Sequence, residues 1–328
     1  MVWRRCVPTG WARWGGCVLP GRWAGAGNRT ARFRKFWQAV GVRSVLEPTR
    51  RGRTAGARQL ANRDLTQVLR VLDTDPVATC MVAARLQEYG LDPRGAYGEL
   101  WSRGGPGESL CFSGANLVPL RGGREDMKAF AERAIKGPRL CSSVVGRREL
   151  ALPLWEMLRE QWGPPRELRE DQPLLALERP ASLAPDLRVR RVRPEELDRY
   201  MVAAIAMFTE EIGVDPRAGD GGRSYRRRVS GLIESGRAWA RFEDGEVVFK
   251  AEVGALSRRT GQIQGVWVHP DRRGQGYGTS GTASVANVVV SSGRTASLYV
   301  NCYNEVARRA YAKVGFRQIA TFATVLLD

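Results

Sequence analysis

Three glycines at alternating positions, Gly274, Gly276 and Gly278, follow an arginine and come shortly after an apolar strand candidate. Glycine lets the backbone turn sharply and brings its N–H groups within reach of a ligand. When a helix follows such a turn, those N–H groups and the helix dipole converge on one point, which favours an anion such as a phosphate. The stretch 266–279 therefore predicts a binding site for a pyrophosphate group.

Two common nucleotide-binding fingerprints do not fit this stretch. A dinucleotide-binding turn needs its third glycine three residues after the second and an acid about 20 positions on. Here Gly278 comes one residue early, and no acid lies between Asp271 and Glu305. A P-loop needs a lysine followed by Ser or Thr after its last glycine. Here the residue directly before Thr279 is Gly278 and not a lysine. Taken alone, the glycines also fit a flexible loop.

The glycine loop resembles the acyl-CoA loop of the GNAT N-acetyltransferases. The family pattern Arg/Gln-x-x-Gly-x-Gly/Ala stands here at residues 273–278, after the Val-His-Pro ending of a strand. Downstream, the resemblance continues with Leu-Tyr-Val-Asn at 298–301, Asn304, Ala-Arg-Arg-Ala-Tyr at 307–311 and Gly-Phe at 315–316. Two motifs in the family's order and spacing make residues from about 187 to 328 similar to a complete GNAT domain.

The resemblance implies a binding site for acetyl-CoA as co-substrate, with no metal. Pyrophosphate would be bound by the loop backbone, namely Arg273, Gly274, Gln275, Gly276, Tyr277, Gly278 and Thr279. The backbone of Val266 and Val268 would pair with the pantetheine arm, and Val268 would offer its N–H to the thioester oxygen. Asn304 would contact the arm from the opposite side. We interpret Arg308 as a phosphate neighbour or a surface charge.

Acetyl transfer to an amine needs a proton acceptor for the amine and a proton donor for the leaving thiolate. On the resemblance, Tyr311 occupies the position of the family's general acid; the alternative is a core aromatic residue. The candidates for the base are Glu252, on the strand beside the central one, and Glu210 and Glu211 at the end of a helix. Each of these acids also fits a solvated surface position, and a water relay stays open.

The composition is that of an ordinary globular protein, with 43% hydrophobic and 26% charged residues among 328. No apolar run approaches the roughly 18 residues that a membrane span needs. The six cysteines are scattered without a CxxC pair, and His269 is the single histidine, so zinc and cysteine–histidine chemistry are poorly supported. We expect a reducing, cytoplasmic location with the cysteines as small core residues.

Most of the net charge of +18 lies in the first 53 residues, which contain twelve arginine or lysine residues and one acid, Glu47. Residues 1–50 show neither helical nor strand periodicity, and we expect them to be disordered. We interpret this basic tail as the product of a start site placed too far upstream; the alternative is a basic arm for nucleic acid or membrane. Nucleic-acid binding is not expected of the folded remainder.

The predicted fold class is α+β with a mixed sheet, arranged as two tandem GNAT-like domains. Residues 58–178 would form a degenerate first domain, 179–186 a proline-containing linker and 187–328 the catalytic domain. The first domain shows the GNAT order of elements, with a single strand predicted over Leu110–Leu120, but residues 119–124 lack the glycine spacing. It resembles a domain of unknown function found ahead of GNAT domains in high-GC bacteria, and an unrelated α+β domain is the alternative. Its role would be to form one wall of the acceptor pocket or to mediate association with another protein chain.

One element shows a conflict between propensity and resemblance. Residues 279–292 contain Val285, Val288, Val289 and Val290, and β-branched residues favour strands. The i, i+4 spacing of Val285 with Val289 gives an apolar helix face, and the resemblance requires a helix here. We therefore predict a helix.

The resemblance implies an acetyl-CoA-dependent N-acetyltransferase that acts by direct attack of a primary amine, and we expect a monomer or homodimer. The alternative is a CoA-binding regulatory or scaffold protein in which catalysis has lapsed. The acceptor stays open among a small-molecule amine, an antibiotic, a peptide N-terminus and a protein lysine.

Overall fold

The computed structural model of the protein describes residues 56–218 and 220–327. The predicted basic tail of residues 1–50 lies outside the described residues. We call residues 58–177 the N-terminal half and residues 190–326 the C-terminal half.

The N-terminal half contains two helices, a three-stranded meander and two further helix–strand steps. In chain order its elements are β1 (Arg58–Gln59), α1 (Leu65–Leu72), α2 (Cys80–Tyr89), α3 (Pro93–Ala96), β2 (Gly98–Ser102), β3 (Leu110–Gly114), β4 (Leu117–Arg121), α4 (Arg124–Ile135), β5 (Ser143–Arg147), α5 (Arg148–Trp162) and β6 (Glu167–Leu177).

The C-terminal half repeats this order without the short α3. Its elements are β7 (Arg190–Arg191), α6 (Leu197–Ile212), α7 (Arg223–Glu234), β8 (Ala238–Glu243), β9 (Glu246–Leu256), β10 (Thr260–Val268), α8 (Tyr277–Ser291), β11 (Thr295–Tyr299), α9 (Glu305–Val314) and β12 (Arg317–Leu326). The order strand, two helices, three strands, helix, strand, helix, strand thus occurs twice.

The strands of the described residues form one 12-stranded mixed sheet, in the order β1-β2-β3-β4-β5-β12-β6-β11-β10-β9-β8-β7. The last strand of each half is exchanged: β12 pairs with β5, and β6 pairs with β11. Leu326 lies opposite Ser143, and Leu174 lies opposite Tyr299. The two halves therefore complete each other's sheets.

The helices cover both faces of the sheet. Alternation along β6 shows this, because Leu174 and Ala176 pack with α1 and α2, whereas Leu175 and Leu177 pack with α8 and α9. A third cluster lies under α4 and α5, and a fourth lies between α6, α7 and the outer strands of the C-terminal half. The helix pairs α1/α2 and α6/α7 thus share one face of the sheet, and α4/α5 and α8/α9 share the other.

Two local predictions have opposite outcomes. The helix predicted over residues 279–292 is present as α8. Gly281 lets this helix pack on the ring of Phe249, because a Cβ at Gly281 would lie 2.7 Å from ring carbons.

The single strand predicted over Leu110–Leu120 is wrong. The chain turns between β3 and β4, and the N–H of Gly114 donates to the carbonyl of Asn116.

Candidate active site

The glycine loop forms a concave turn at the start of α8. Gly274 and Gly276 have φ angles of +76° and +88°, in the left-handed region that favours glycine. The N–H groups of Thr279 and Ser280 both donate to the carbonyl of Gly276. In the described part of the chain, the five preceding N–H groups, at residues 274–278, make no hydrogen bond. Together with the helix dipole, these N–H groups favour the binding of an anion, and we call the loop the anion site for this reason.

The first turn of α8 is anchored to β8 through Tyr277. Its hydroxyl donates to Glu243 at 3.1 Å, and the guanidinium of Arg241 lies 4.3 Å from the centre of its ring. Arg241 in turn pairs with Glu243 and, at 2.7 Å, with Asp186 of the segment between the two halves. This network fixes the position of the glycine loop without using the backbone N–H groups that face the anion site.

A gap opens between β10 and β11 beside the glycine loop. The two strands pair only over Thr260–Gln262 and Thr295–Ser297, after which β10 stays with β9 and β11 stays with β6. A bulge in β10 at Gly265, where φ is +58°, separates the two parts of its ladder with β9. The strands therefore splay in a V toward the carboxyl end of β10.

The backbone of Val268 faces this gap. The N–H of His269 donates to the carbonyl of Val248 on β9, and antiparallel hydrogen-bonded pairs alternate with non-bonded pairs. Val268, opposite Phe249, is thus a non-bonded position whose N–H and C=O point away from β9. Val266 lies within the bulge and has no assigned partner on β9, so the ladder fixes the direction of the backbone for Val268 alone.

Tyr311 lies on α9 against the same core cluster as Val266 and Val268. The residue is 8% exposed, and its ring makes an edge contact with Phe316. Its hydroxyl makes no hydrogen bond to any of the described residues. Burial, and to a lesser extent the charge of Glu211, raise the pKa of Tyr311 well above its ordinary value. The phenol is therefore protonated at neutral pH, as a general acid must be.

Glu211 lies near the end of α6, within electrostatic reach of Arg169, Lys250, Tyr299 and Tyr311, and we call these surroundings the recess of Glu211. The residue is open to solvent, yet surrounding protein desolvates its carboxyl group and raises its pKa, while the charges of Arg169 and Lys250 act in the opposite direction. Desolvation, followed by the charge of Glu211, also raises the pKa of Tyr299. A carboxylate that is accessible and raised in pKa suits proton acceptance near neutral pH.

Glu252 is in a different environment from Glu211. It is 1% exposed, and its carboxylate accepts hydrogen bonds from Lys250 at 2.8 Å, Tyr200 at 3.3 Å and Arg228 at 3.4 Å. Burial acts to raise the pKa of Glu252, but the charges of Lys250 and Arg228 outweigh it and lower the pKa. Sequence reasoning missed these three partners, although a lysine two positions before Glu252 in an apolar strand is a visible signal.

Asn304 and Arg308 both contact the backbone near the start of α9. The Oδ1 atom of Asn304 caps the helix by accepting from the N–H of Ala307 at 3.1 Å. Arg308 is exposed and donates to the carbonyl of Cys302 at 3.1 Å. It also lines an open cavity of about 450 Å³ between α9, β6 and β12, on the side of α9 occupied by Phe316.

The matching helix start in the N-terminal half is already occupied by a carboxylate. Asp126, in the first turn of α4, accepts from the N–H of Gly123 at 2.8 Å and pairs with Arg103 at 3.2 Å. Glu125 adds a second negative charge in the same turn. This helix start disfavours an anionic ligand, and the glycine loop of the C-terminal half is the better anion site.

The arrangement brings together an anion site, a splayed strand with outward backbone groups, a protonated phenol and a carboxylate. Such a set can hold an extended ligand that ends in pyrophosphate and can move a proton at each side of the gap. In the described residues no cluster of His, Cys, Asp or Glu could hold a metal ion, and no helix is both long and apolar enough to cross a membrane.

Two family models match parts of the chain. One, described as an FR47-like protein, matches residues 248–325, which contain the glycine loop and Tyr311. The other, described as a domain of unknown function (DUF4081), matches residues 98–200. No curated protein matches the chain.

Solved structures resemble both halves together. A Drosophila protein superposes with a TM-score of 0.60 at 12% identity, covering 83% of this chain and 98% of its own. A GNAT-family acetyltransferase from Colwellia psychrerythraea gives 0.52 at 12% identity, with 83% and 99% covered. A GCN5-related N-acetyltransferase from Sphaerobacter thermophilus gives 0.51 at 18% identity, with 82% and 95% covered. The chain thus has the fold of GNAT acetyltransferases across both of its halves, with an FR47-like segment in the second.

Proposed function

We propose that the protein is an acetyl-CoA-dependent N-acetyltransferase that transfers the acetyl group to a primary amine of a small molecule or peptide. The catalytic domain would be residues 187–328, and residues 58–178 would be a degenerate domain that does not bind CoA. The observation on which this rests is the row of N–H groups at residues 274–278 that bind none of the described residues and lie just beyond the carboxyl end of β10, where that strand has separated from β11.

The chain fits acetyl-CoA in three places. The N–H groups of the glycine loop and the dipole of α8 would hold the pyrophosphate. The backbone of Val266 and the outward N–H of Val268 would pair with the pantetheine arm, and the amide nitrogen of Asn304, which binds none of the described residues, would contact the arm from the other side. When bound, acetyl-CoA supplies an activated acetyl group as a thioester.

The proposed roles of the side chains follow from their protonation. Glu211, accessible and raised in pKa by desolvation, would take a proton from the acceptor amine so that its lone pair can attack. The N–H of Val268 would stabilise the negative charge that develops on the thioester oxygen. Tyr311, protonated at neutral pH, would give its proton to the leaving sulfur. Glu252 is a less suitable general base than Glu211, because its carboxylate is fully buried and ion-paired.

The test is thioester consumption by the full chain with a panel of amines, paired with calorimetric titration of acetyl-CoA. Gly276→Asp should abolish binding, because it adds a negative charge at the anion site and strains a φ of +88°. The counterpart Gly123→Asp, at a φ of −105°, should bind acetyl-CoA as the wild type does. Binding without turnover on any amine would favour a regulatory CoA-binding protein. No binding at all would overturn the proposal.

A further inference from the structure

The exchanged strand β6 brings a side chain of the N-terminal half into the recess of Glu211. The register of β6 with β12 runs from Gln172 opposite Phe322 to Arg169 opposite Thr324, so β6 contains one extra residue. A bulge of this kind reverses the side-chain alternation. Arg169 therefore faces the same side of the sheet as Gln172, which is the side covered by α6.

Arg169 bridges the two halves at the end of α6. Its side chain is 9% exposed and is held by Glu167, with distances of 2.7 Å from Nε to Oε1 and 3.0 Å from Nη2 to Oε2. Nη2 also donates to the carbonyl of Glu211 at 3.3 Å. A cation at the last carbonyls of a helix stabilises the helix end, so Arg169 fixes the turn from which the Glu211 side chain projects.

The titratable groups around Glu211 come from the strands β6, β9 and β11, the helices α7 and α9, and the segment between β11 and α9. Arg169 on β6 and Lys250 on β9 stabilise the carboxylate, and Glu252 on β9 opposes it. Lys250 is paired with Glu252 at 2.8 Å, and Arg169 is paired with Glu167 at 2.7 Å, so each cation is partly compensated by its own carboxylate. The tyrosines that sense the charge of Glu211 are Tyr225 on α7, Tyr299 on β11, Tyr303 after it and Tyr311 on α9. Arg169 thus supplies a positive charge to Glu211 from outside the C-terminal half.

We propose that Arg169 is a positioning residue for the reaction: it holds the last turn of α6 and supplies the positive charge that the Glu211 carboxylate faces. This inference rests on the proposed function, in which Glu211 accepts the proton of the amine. It also gives the degenerate half a direct part in the site, because the exchange of β6 places Arg169 there.

The test compares the pH dependence of kcat/KM in the full-length wild type, Arg169→Gln and Arg169→Lys. A carboxylate base is active when it is ionised, so kcat/KM falls at low pH, along the acid limb of the profile. Removal of a nearby positive charge raises the pKa of the carboxylate and therefore moves this limb to higher pH. We expect Arg169→Gln to shift this limb upward by about 0.5–1 pH unit. Arg169→Lys keeps the charge and should restore most of the wild-type profile. Arg103→Gln, which breaks the ion pair with Asp126 far from the recess, should leave the limb in place.

A carboxyl titration by ¹³C NMR, with the Glu211 signal assigned from Glu211→Gln, measures the same shift without turnover. If the acid limb of the kcat/KM profile and the titration of the Glu211 carboxyl are both the same in wild type and Arg169→Gln, the inference is overturned while the proposed function stands. A wild type that binds acetyl-CoA but turns over no amine would overturn the proposed function and, with it, the catalytic role of Arg169. Melting curves of both Arg169 variants separate a loss of folding from a shift in titration.

Discussion

Arg273 of the glycine loop is bound to Glu210 at the end of α6. Its Nη2 atom lies 2.7 Å from Oε2 and 3.0 Å from Oε1 of Glu210, and its Nε atom donates to the carbonyl of Val268 at 3.1 Å. The proposed ligand needs both groups, because pyrophosphate would attract the guanidinium and the pantetheine arm would pair with Val268. The Glu210–Arg273 pair would therefore compete with the proposed ligand.

Glu210→Gln should accordingly raise the affinity for acetyl-CoA. Both side chains are about half exposed, at 47% and 50%, so the pair is worth at most about 1 kcal/mol. We expect calorimetry to give a two- to five-fold lower Kd for acetyl-CoA, which corresponds to at most about 1 kcal/mol of binding free energy. Glu156→Gln, which breaks an exposed pair with Arg159 on α5, is the control and should leave Kd unchanged. A weaker affinity in Glu210→Gln would show that the pair helps to form the site.

Gly274 and Gly293 provide a matched pair of substitutions at the two ends of α8. Both have a φ of +76°, and a Cβ at either would meet no atom within 4 Å. Alanine at each should cost about 1 kcal/mol of unfolding free energy through the same backbone strain. Only Gly274→Ala should weaken acetyl-CoA binding, by at least ten-fold, because only Gly274 belongs to the anion site. Equal effects on Kd in the two variants would remove the loop from the binding site.

Tyr311→Phe tests the proposed acid. Loss of a general acid typically lowers the rate by about 10²–10⁴-fold, and it acts in the transition state more than in the ground state. We therefore expect kcat to fall by that factor while the acetyl-CoA Kd changes only a few-fold. The control is Tyr225→Phe, whose hydroxyl donates to the carbonyl of Ala204 at 2.9 Å. It should lower the melting temperature with little effect on kcat, and full turnover in Tyr311→Phe would exclude the acid role.

The Lys250–Glu252 pair gives a prediction about both stability and catalysis. Lys250→Met leaves the Glu252 carboxylate buried beside fewer positive charges and should cost about 3–5 kcal/mol. The double variant Lys250→Met with Glu252→Leu removes both buried charges and should be more stable than the sum of the single losses predicts. If Glu211 is the base, the double variant keeps substantial activity. A stable double variant without activity would instead support Glu252 as the base.

Glu196 predicts a pH dependence of stability. Hydrogen bonds from Arg190 at 2.6 and 2.8 Å, with a further one from the N–H of Arg193, lower the pKa of Glu196 to about 2. A lowered pKa in the folded state stabilises the protein above the unfolded value of about 4.3. That stabilisation is lost as the pH falls toward 2.

Glu196→Gln should thus reduce the unfolding free energy by about 1 kcal/mol at pH 7, a value discounted because Arg190 is 41% exposed. Urea unfolding at pH 7, 4 and 2.5 should show the difference between variant and wild type shrinking at each step. A difference that grows on acidification would contradict the assignment.

Local sequence determined most of the secondary structure and the turn of the glycine loop. The glycine loop and the alternation of helices and strands depend on backbone preferences of residues close in the chain, so the pattern at 273–278 predicted the turn that the structure shows. The cap at Asn304 is local in the same sense. Propensity alone would have failed at Val288–Val290, where the helix is set by packing of α8 on the sheet.

Tertiary structure alone decided which strand lies next to which. Nothing in the sequence of β6 or β12 distinguishes pairing within a half from exchange between halves, because both choices bury the same apolar residues. The environments of Glu211 and Glu252 follow from that arrangement. Sequence made the two acids equal candidates for the base, but burial under α6 and α7 pairs Glu252 with Lys250, whereas the splay of β10 from β11 leaves Glu211 accessible. Arg169 reaches the recess only because a bulge and an exchanged strand place it there, and such long-range relations are absent from any local pattern.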